Sequence, residues 1–216
     1  MSFPESRLSI IKKRGYRKDI KGSPFLLSIS NYFVTAKYLK ERLGDDKKIL
    51  VELCCGVGIT LEQMAEVFKQ VIGVDNGKAA LKACSENLKS SKLSKKTVLI
   101  NGDINKNFVL QRIKADIAIY DIPYWIPHEY RGEGDFRDKN PPLKETVEKI
   151  RKYITSDIVV FCSPQHTYKI VNSQLGNCEY QKIFINEKYD RNIVYLGNLI
   201  KQDGITEIHL SNSSEK

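Results

Sequence analysis

Four acidic residues stand at matching places in this chain, each just after a short apolar run: Glu52, Asp75, Asp103 and Asp121. Glu52 leads into Leu-Cys-Cys-Gly56-Val-Gly58, where two glycines let the backbone come close to a ligand with a helix N-terminus behind it. Asp75 is placed to accept hydrogen bonds from two ribose hydroxyls, and Asp103 follows Gly102. Asp121 opens Asp121-Ile122-Pro123-Tyr124-Trp125, an acceptor followed by two aromatic rings, the second being the chain's single tryptophan. Any one of these acids reads equally well as the cap of a strand-to-helix turn. Four in register read as a site. The third glycine of a G-x-G-x-x-G fingerprint is missing, which argues against a dinucleotide.

Other chemistry is thinner. His128, His166 and His209 are far apart, so no metal is expected. Ser163-Pro164-Gln165-His166 either lines a substrate cleft or starts a capped helix. Residues 129–139, with Gly132 and Gly134, read as a loop, either plain or able to close over substrate. Five cysteines, two of them adjacent, fit neither a disulfide ladder nor a zinc pattern and read as buried thiols.

The elements that must position these groups alternate in type. Apolar runs at 48–53, 71–74, 98–100, 116–120 and 158–161 predict strands. Helical spacing covers 38–43, 61–68, 81–88 and 168–175, with a short amphipathic stretch at 108–113. A further helix is predicted from Asn140 and Pro141 through Ile154. Strand-helix alternation implies right-handed crossovers and a mainly parallel sheet, an α/β fold with helices on both faces. Runs at 180–186 and 192–200 suggest two more strands, an antiparallel hairpin at the sheet edge turning near Tyr189 and Asp190. In a parallel sheet, ligands lie beyond the carboxyl ends of the strands, where the four acids fall.

At 41% hydrophobic and 28% charged, the composition excludes a wholly disordered chain. No apolar run approaches the roughly 18 residues of a membrane span. The first residues lack an apolar signal core, so a cytoplasmic protein is expected. The net charge of +9 favours polyanionic partners, and five of those charges fall within residues 1–22. The expected organisation is a basic arm over 1–31, a domain over 32–202 and a polar tail over 203–216. The arm either grips nucleic acid, through Lys12, Lys13, Arg14, Arg17, Lys18 and Lys21 with Tyr16 stacking on a base, or is solvated and mobile.

Taken together, the glycine loop and the acids resemble the class I S-adenosylmethionine-dependent methyltransferases over about residues 32–200. The resemblance implies a Rossmann-like, seven-stranded sheet and S-adenosyl-L-methionine as cofactor. Glu52, Gly56 and Gly58 would surround its methionine part, Asp75 would hold its ribose and Asp103 would face its adenine amine, with Cys54, Asn76 and Ile104 beside them. Residues 121–124 look like the (Asp/Asn/Ser)-Pro-Pro-(Tyr/Phe/Trp) motif of nitrogen methyltransferases, with Ile122 where the motif has its first proline. An exocyclic nitrogen delocalises its lone pair and is a poor nucleophile. Asp121 and the Ile122 carbonyl would accept its N–H bonds, while Tyr124 and Trp125 offer rings for the planar base.

Within this group the chain is most similar to RNA cap guanine-N2 methyltransferases related to trimethylguanosine synthase. The likeness runs through Val51-Glu52-Leu-Cys-Cys-Gly-Val-Gly58, Val71-Ile-Gly-Val-Asp75, Gly102-Asp103 and Asn192-Ile-Val-Tyr-Leu-Gly-Asn-Leu-Ile200. Residues 32–35, Tyr-Phe-Val-Thr, are similar to the family's aromatic-Phe-Ser-Val-Thr stretch and lack its following Pro-Glu. The resemblance implies methyl transfer to an exocyclic base nitrogen of RNA, guanine N2 first. A methyltransferase for a protein or small molecule, and a catalytically silent RNA-binding module, stay open at this point.

Overall fold

Apolar five-residue runs that alternate with amphipathic helices form the expected layers, and the strand order decides where a ligand can sit. The computed structural model describes residues 5–122 and 143–212. In chain order the elements are α1 (Arg7–Arg14), α2 (Pro24–Ile29), α3 (Phe33–Leu43), β1 (Ile49–Leu53), α4 (Ile59–Val67), β2 (Gln70–Asp75) and α5 (Lys78–Ser90). They continue with β3 (Thr97–Asn101), α6 (Asn107–Leu110), β4 (Ile117–Asp121), α7 (Leu143–Tyr153), β5 (Ile158–Cys162) and α8 (Tyr168–Leu175). The chain closes with β6 (Glu179–Ile185), β7 (Lys188–Leu196) and β8 (Gly204–Leu210). The helix expected to start at Asn140 and Pro141 is seen from Leu143; its predicted start, the 129–139 loop and His128 lie outside the described residues.

The sheet runs β3-β2-β1-β4-β5-β7-β6-β8. β1 to β5 are mutually parallel, β7 is antiparallel to both β5 and β6, and β8 is parallel to β6. Leaving β1 for β2 on one side and returning as β4 on the other makes a topological switch point between β1 and β4, where a crevice opens. One face packs on α6, α7 and α8 through residues such as Val109, Val147 and Val171. The other packs on α3, α4 and α5 through Leu39, Leu61 and Leu88.

The C-terminal third departs from expectation in three ways, each with a physical reason. Residues 203–210 are not part of a polar tail: Gly204–Leu210 is an eighth strand paired along its length with β6. Its side chains are alternately exposed and half-buried, so its sequence reads as polar, and ladder hydrogen bonds rather than deep burial hold it in place. The hairpin therefore lies inside the sheet, with β8 at the edge. Its turn falls at Asn186 and Glu187, at φ 48° and 63°, not at Tyr189 and Asp190. A two-residue turn needs positive φ at both positions, and asparagine tolerates that region where tyrosine does not.

The basic arm is also corrected. Ile10, Ile11, Tyr16, Ile20 and Leu27 are buried together against Ala36, Val57, Ile59 and Ala83, so residues 5–31 are continuous with the domain. Arg14 donates to the Ser30 carbonyl at 3.0 Å and to that of Ser28, and its guanidinium lies 4.1 Å from the centre of the Tyr32 ring. Arg17 pairs with Asp19 at 2.6 Å and Glu62 at 3.2 Å. The Tyr16 hydroxyl donates to the carbonyls of Asn31 at 2.6 Å and Leu27 at 3.2 Å, which leaves the buried ring unable to stack on a base. Arg14 and Arg17 are thus engaged within the domain, while Lys12, Lys13, Lys18 and Lys21 stay exposed, Lys13 paired with Glu5 at 3.1 Å.

This packing has a measurable consequence. Ile10→Ala should destabilise the fold by about 2–5 kcal/mol in urea unfolding, and Tyr16→Phe by about 1–3 kcal/mol as two carbonyls lose their donor. A solvated arm would leave both midpoints unchanged.

Candidate active site

The first βα loop is tied to the end of the second strand. Cys54 and Cys55 both donate their amides to the Val74 carbonyl, at 2.8 and 3.1 Å. One step on, the Gly56 amide donates to Asp75 Oδ2 at 2.9 Å, while Asp75 Oδ1 accepts from Gly77 at 2.8 Å. Asp75 thus staples two ligand-side loops, and each of its oxygens keeps a second acceptor position. Asp103 Oδ1 accepts from the Asn105 amide at 2.9 Å, closing the turn after β3.

Above these ends lies a cavity of about 490 Å³, a size suited to a nucleoside-like ligand. Around it the structure brings together Glu52, Cys54, Gly56, Asp75, Asn76, Asp103, Ile104, Asp121 and Ile122, all expected site residues. Gly58 is not among them. At φ 83° it starts α4, and a Cβ there would come 2.5 Å from Cys84 Sγ, so the turn and the helix packing by themselves require glycine here. Ser163 is buried and also away from the cavity; its Oγ lies 3.0 Å from His166 Nδ1, and Thr167, not Ser163, caps α8. Arg14 and Arg17 are spent on the contacts above, and Lys13 lies outside the cavity lining. Pro123, Tyr124 and Trp125 lie outside the described residues.

One wall of the cavity comes from the end of the segment expected to be a basic arm: Phe25, Leu26, Ile29, Ser30 and Asn31, from α2 and the joint before α3. Asn31 is 3% exposed and touches the chemistry directly. Its Nδ2 donates to Asp121 Oδ2 at 3.0 Å and to Thr60 Oγ at 2.8 Å, and its Oδ1 accepts from Arg191. Arg191, 1% exposed on β7, pairs with Asp190 at 2.6 Å. The available signal is slight: the Ser23-Pro24 helix start.

The electrostatics follow from burial. Asp121 is pushed up to about 6 by loss of water, against the opposing pull of Arg191 and the Asn31 hydrogen bond. Burial and the charges of Asp121, Cys84 and Asp75 hold Glu52 well above the usual carboxylate range, with Thr60 opposing. Burial also raises the Cys54 thiol, which makes it a poor nucleophile. Glu52 Oε2 is buried without a hydrogen-bond partner. A cavity lined by four acids, one with an orphaned oxygen, fits a cationic ligand carrying donors, as a sulfonium amino acid does. Among the described residues there is no group of three or more potential metal ligands, and no helix is long and apolar enough to cross a membrane. Gly58→Ala should lower stability by about 1–3 kcal/mol through strain at positive φ and the clash with Cys84; calorimetric melting would show it, and an unchanged melting temperature would return Gly58 to the ligand side.

Comparison with known proteins agrees with this geometry. Residues 47–197 match the family described as RNA cap guanine-N2 methyltransferase. An rRNA N(6)-adenosine-methyltransferase of Caenorhabditis elegans is 30% identical over 89 residues, covering 40% of this chain and 42% of that protein. An uncharacterized RNA methyltransferase of Caldanaerobacter subterraneus is 29% identical over 127 residues, 54% of this chain and 28% of the relative. The matched segments thus span less than half the length of either relative. Among solved structures, a putative methyltransferase of Porphyromonas gingivalis superposes with a TM-score of 0.64 at 16% identity, covering 84% of this chain and 44% of that one. The T. thermophilus 16S rRNA N2 methyltransferase RsmC, in complex with AdoMet and guanosine, gives 0.53 at 16% identity over 83% and 44% of the two chains. At such identities these two structures speak for the fold alone. The family match spans well over half of the chain, and the protein belongs to the RNA cap guanine-N2 methyltransferase family.

Proposed function

We propose that the protein transfers a methyl group from S-adenosylmethionine to an exocyclic base nitrogen of RNA, guanine N2 first. The observation that carries this reading is Asp121: a buried carboxylate at a parallel strand end, oriented by Asn31, on the rim of a cavity lined with acids. The family match and the RNA-methylating relatives support the substrate class.

When bound, the cofactor supplies an electrophilic methyl on a sulfonium. Glu52 and Gly56 would surround its methionine part, Asp75 would take the ribose hydroxyls on its remaining acceptor positions, and Asp103 would face the adenine amine. Asp121 and the Ile122 carbonyl would accept the two N–H bonds of the target amine. That draws its lone pair out of conjugation and aims it at the methyl. The nitrogen sheds its proton only after it becomes cationic, so orientation matters more than basicity.

Tritiated S-adenosylmethionine offered to RNA, protein and DNA pools tests the reading. Label is expected in RNA, and nucleoside analysis is expected to return N2-methylguanosine. N6-methyladenosine would move the target base, whereas label in protein alone, or nowhere, would overturn the proposal.

Asp121 gives a sharper test. Asp121→Ala should lower turnover about a hundredfold or more while cofactor affinity stays within a few-fold. Because burial lifts this carboxyl to about 6, its acceptor form is lost as pH falls below that value. In the parent, kcat/KM should then drop about tenfold per pH unit below 6, a limb that Asp121→Asn removes. The same upward shift stabilises the fold at low pH and is lost as pH rises from about 4 to about 6.

A further inference from the structure

At the end of the sheet that carries the cavity, three aromatic side chains stand in a row across adjacent strands. The turn at Asn186 and Glu187 and the irregularity between Ile183 and Phe184 set Tyr189 opposite Phe184, and β8 sets His209 on its other side. Phe184 stacks on Tyr189 with ring centres 5.2 Å apart and on His209 at 4.7 Å, the latter pair only 6° from parallel. Tyr189 is 38% exposed. Its hydroxyl donates to Asn192 Oδ1, and the Asn192 amide donates to the carbonyls of Ser163 at 2.7 Å and His166 at 3.3 Å. The ring is therefore held in place, at no gain in burial of its outer part.

The strand order gives this row a direction. β7 lies between β5 and β6, so Tyr189 is the rung nearest Asp121 and His209 the farthest. Two strand spacings, about 10 Å, separate β4 from β7, and Tyr189 lies four residues along β7 beyond Ile193, the residue on the rung of Asp121, so the ring stands roughly 15 Å from the carboxylate. Exposed cations rim the same end: Lys188 after the turn, and Lys12 and Lys13 at the end of α1. Asn212 joins the two, accepting nothing from Lys13 but donating to its carbonyl at 2.7 Å while its own amide donates to Asn186 Oδ1 at 2.9 Å. Glu187, the carboxylate in the turn, is engaged by His209 Nδ1 at 3.1 Å.

We propose that this aromatic row is a stacking platform for single-stranded RNA, with Tyr189 receiving the base next to the one that enters the cavity. The inference rests on RNA being the substrate. A base withdrawn from its strand toward Asp121 leaves its neighbour without a stacking partner, and an aromatic ring roughly 15 Å away, about the reach of one extended nucleotide step with its base, replaces it. Stacking tolerates any base, while the lysines hold phosphates without reading sequence.

The test compares parent, Tyr189→Leu, Tyr189→Phe and His209→Ala on a fluorescent, mixed-sequence, single-stranded RNA dodecamer and on its duplex. Melting temperature and S-adenosylmethionine affinity, expected unchanged in all three, establish that each variant is folded. Tyr189→Leu should weaken single-strand binding about tenfold or more, raise KM for RNA with kcat nearly constant, and leave duplex binding and salt dependence as in the parent. Tyr189→Phe, which keeps the ring and loses the Asn192 contact, should stay within about twofold of the parent. His209→Ala should show a smaller loss in the same direction. Parental single-strand affinity in Tyr189→Leu overturns the inference, as does an equal loss in Tyr189→Phe. A change of oligomeric state in light scattering without a change in RNA affinity also overturns it and marks a protein interface. A parent that methylates protein and ignores RNA overturns the functional proposal, and this inference with it.

Discussion

A carboxylate held out of water needs a compensating charge, and in this protein that charge reaches Asp121 at one remove. Arg191 on β7 donates to Asn31, and Asn31 donates to Asp121 on β4. Desolvation of such a group costs several kcal/mol unless it is paired and hydrogen-bonded. Three distant parts of the chain must therefore be in register before the acid is in place: the joint after α2, the end of β4 and the start of β7. Thr60, at the start of α4, takes the other proton of the Asn31 amide and so adds a fourth.

Seen from this chain of contacts, the N-terminal helices are part of the site. Arg14 and Arg17 satisfy backbone carbonyls and a carboxylate, the apolar side chains bury against α4 and α5, and the segment they deliver forms a wall of the cavity. The hairpin is coupled in the same way. Moving its turn to Asn186 and Glu187 lengthens β7, which carries Arg191 toward Asn31 and sets Tyr189 against Phe184. Fold and electrostatics are one problem here.

What could be read from the residues follows a simple physical division. β1, β2, β4 and β5 are apolar because they are buried on both faces, so their runs stand out, and acids that follow strands must lie at the ligand end of a parallel sheet. Glu52, Asp75, Asp103 and Asp121 on the strand side of the cavity are legible for that reason. The opposite wall was not: Arg14 and Arg17 look like free charge in a sequence, because hydrogen bonds to backbone carbonyls leave no trace in residue types. β8 was missed because an edge strand half-exposed on alternating positions has no apolar run. Gly58 is ambiguous in a sequence because a glycine needed for positive φ and one needed beside a ligand look identical until the neighbouring Cys84 is placed. Asn31 had no signal at all, being a single polar residue between two short helices.

The central claim is that the cavity's buried acids are arranged for a cation. Calorimetric titration of S-adenosylmethionine at pH 6, in buffers of unlike ionisation enthalpy, counts the protons exchanged on binding. A sulfonium near Glu52 favours its ionised form, so net proton release is expected, larger than for the neutral thioether S-adenosylhomocysteine. Proton uptake, or identical heats in every buffer for both ligands, would contradict it.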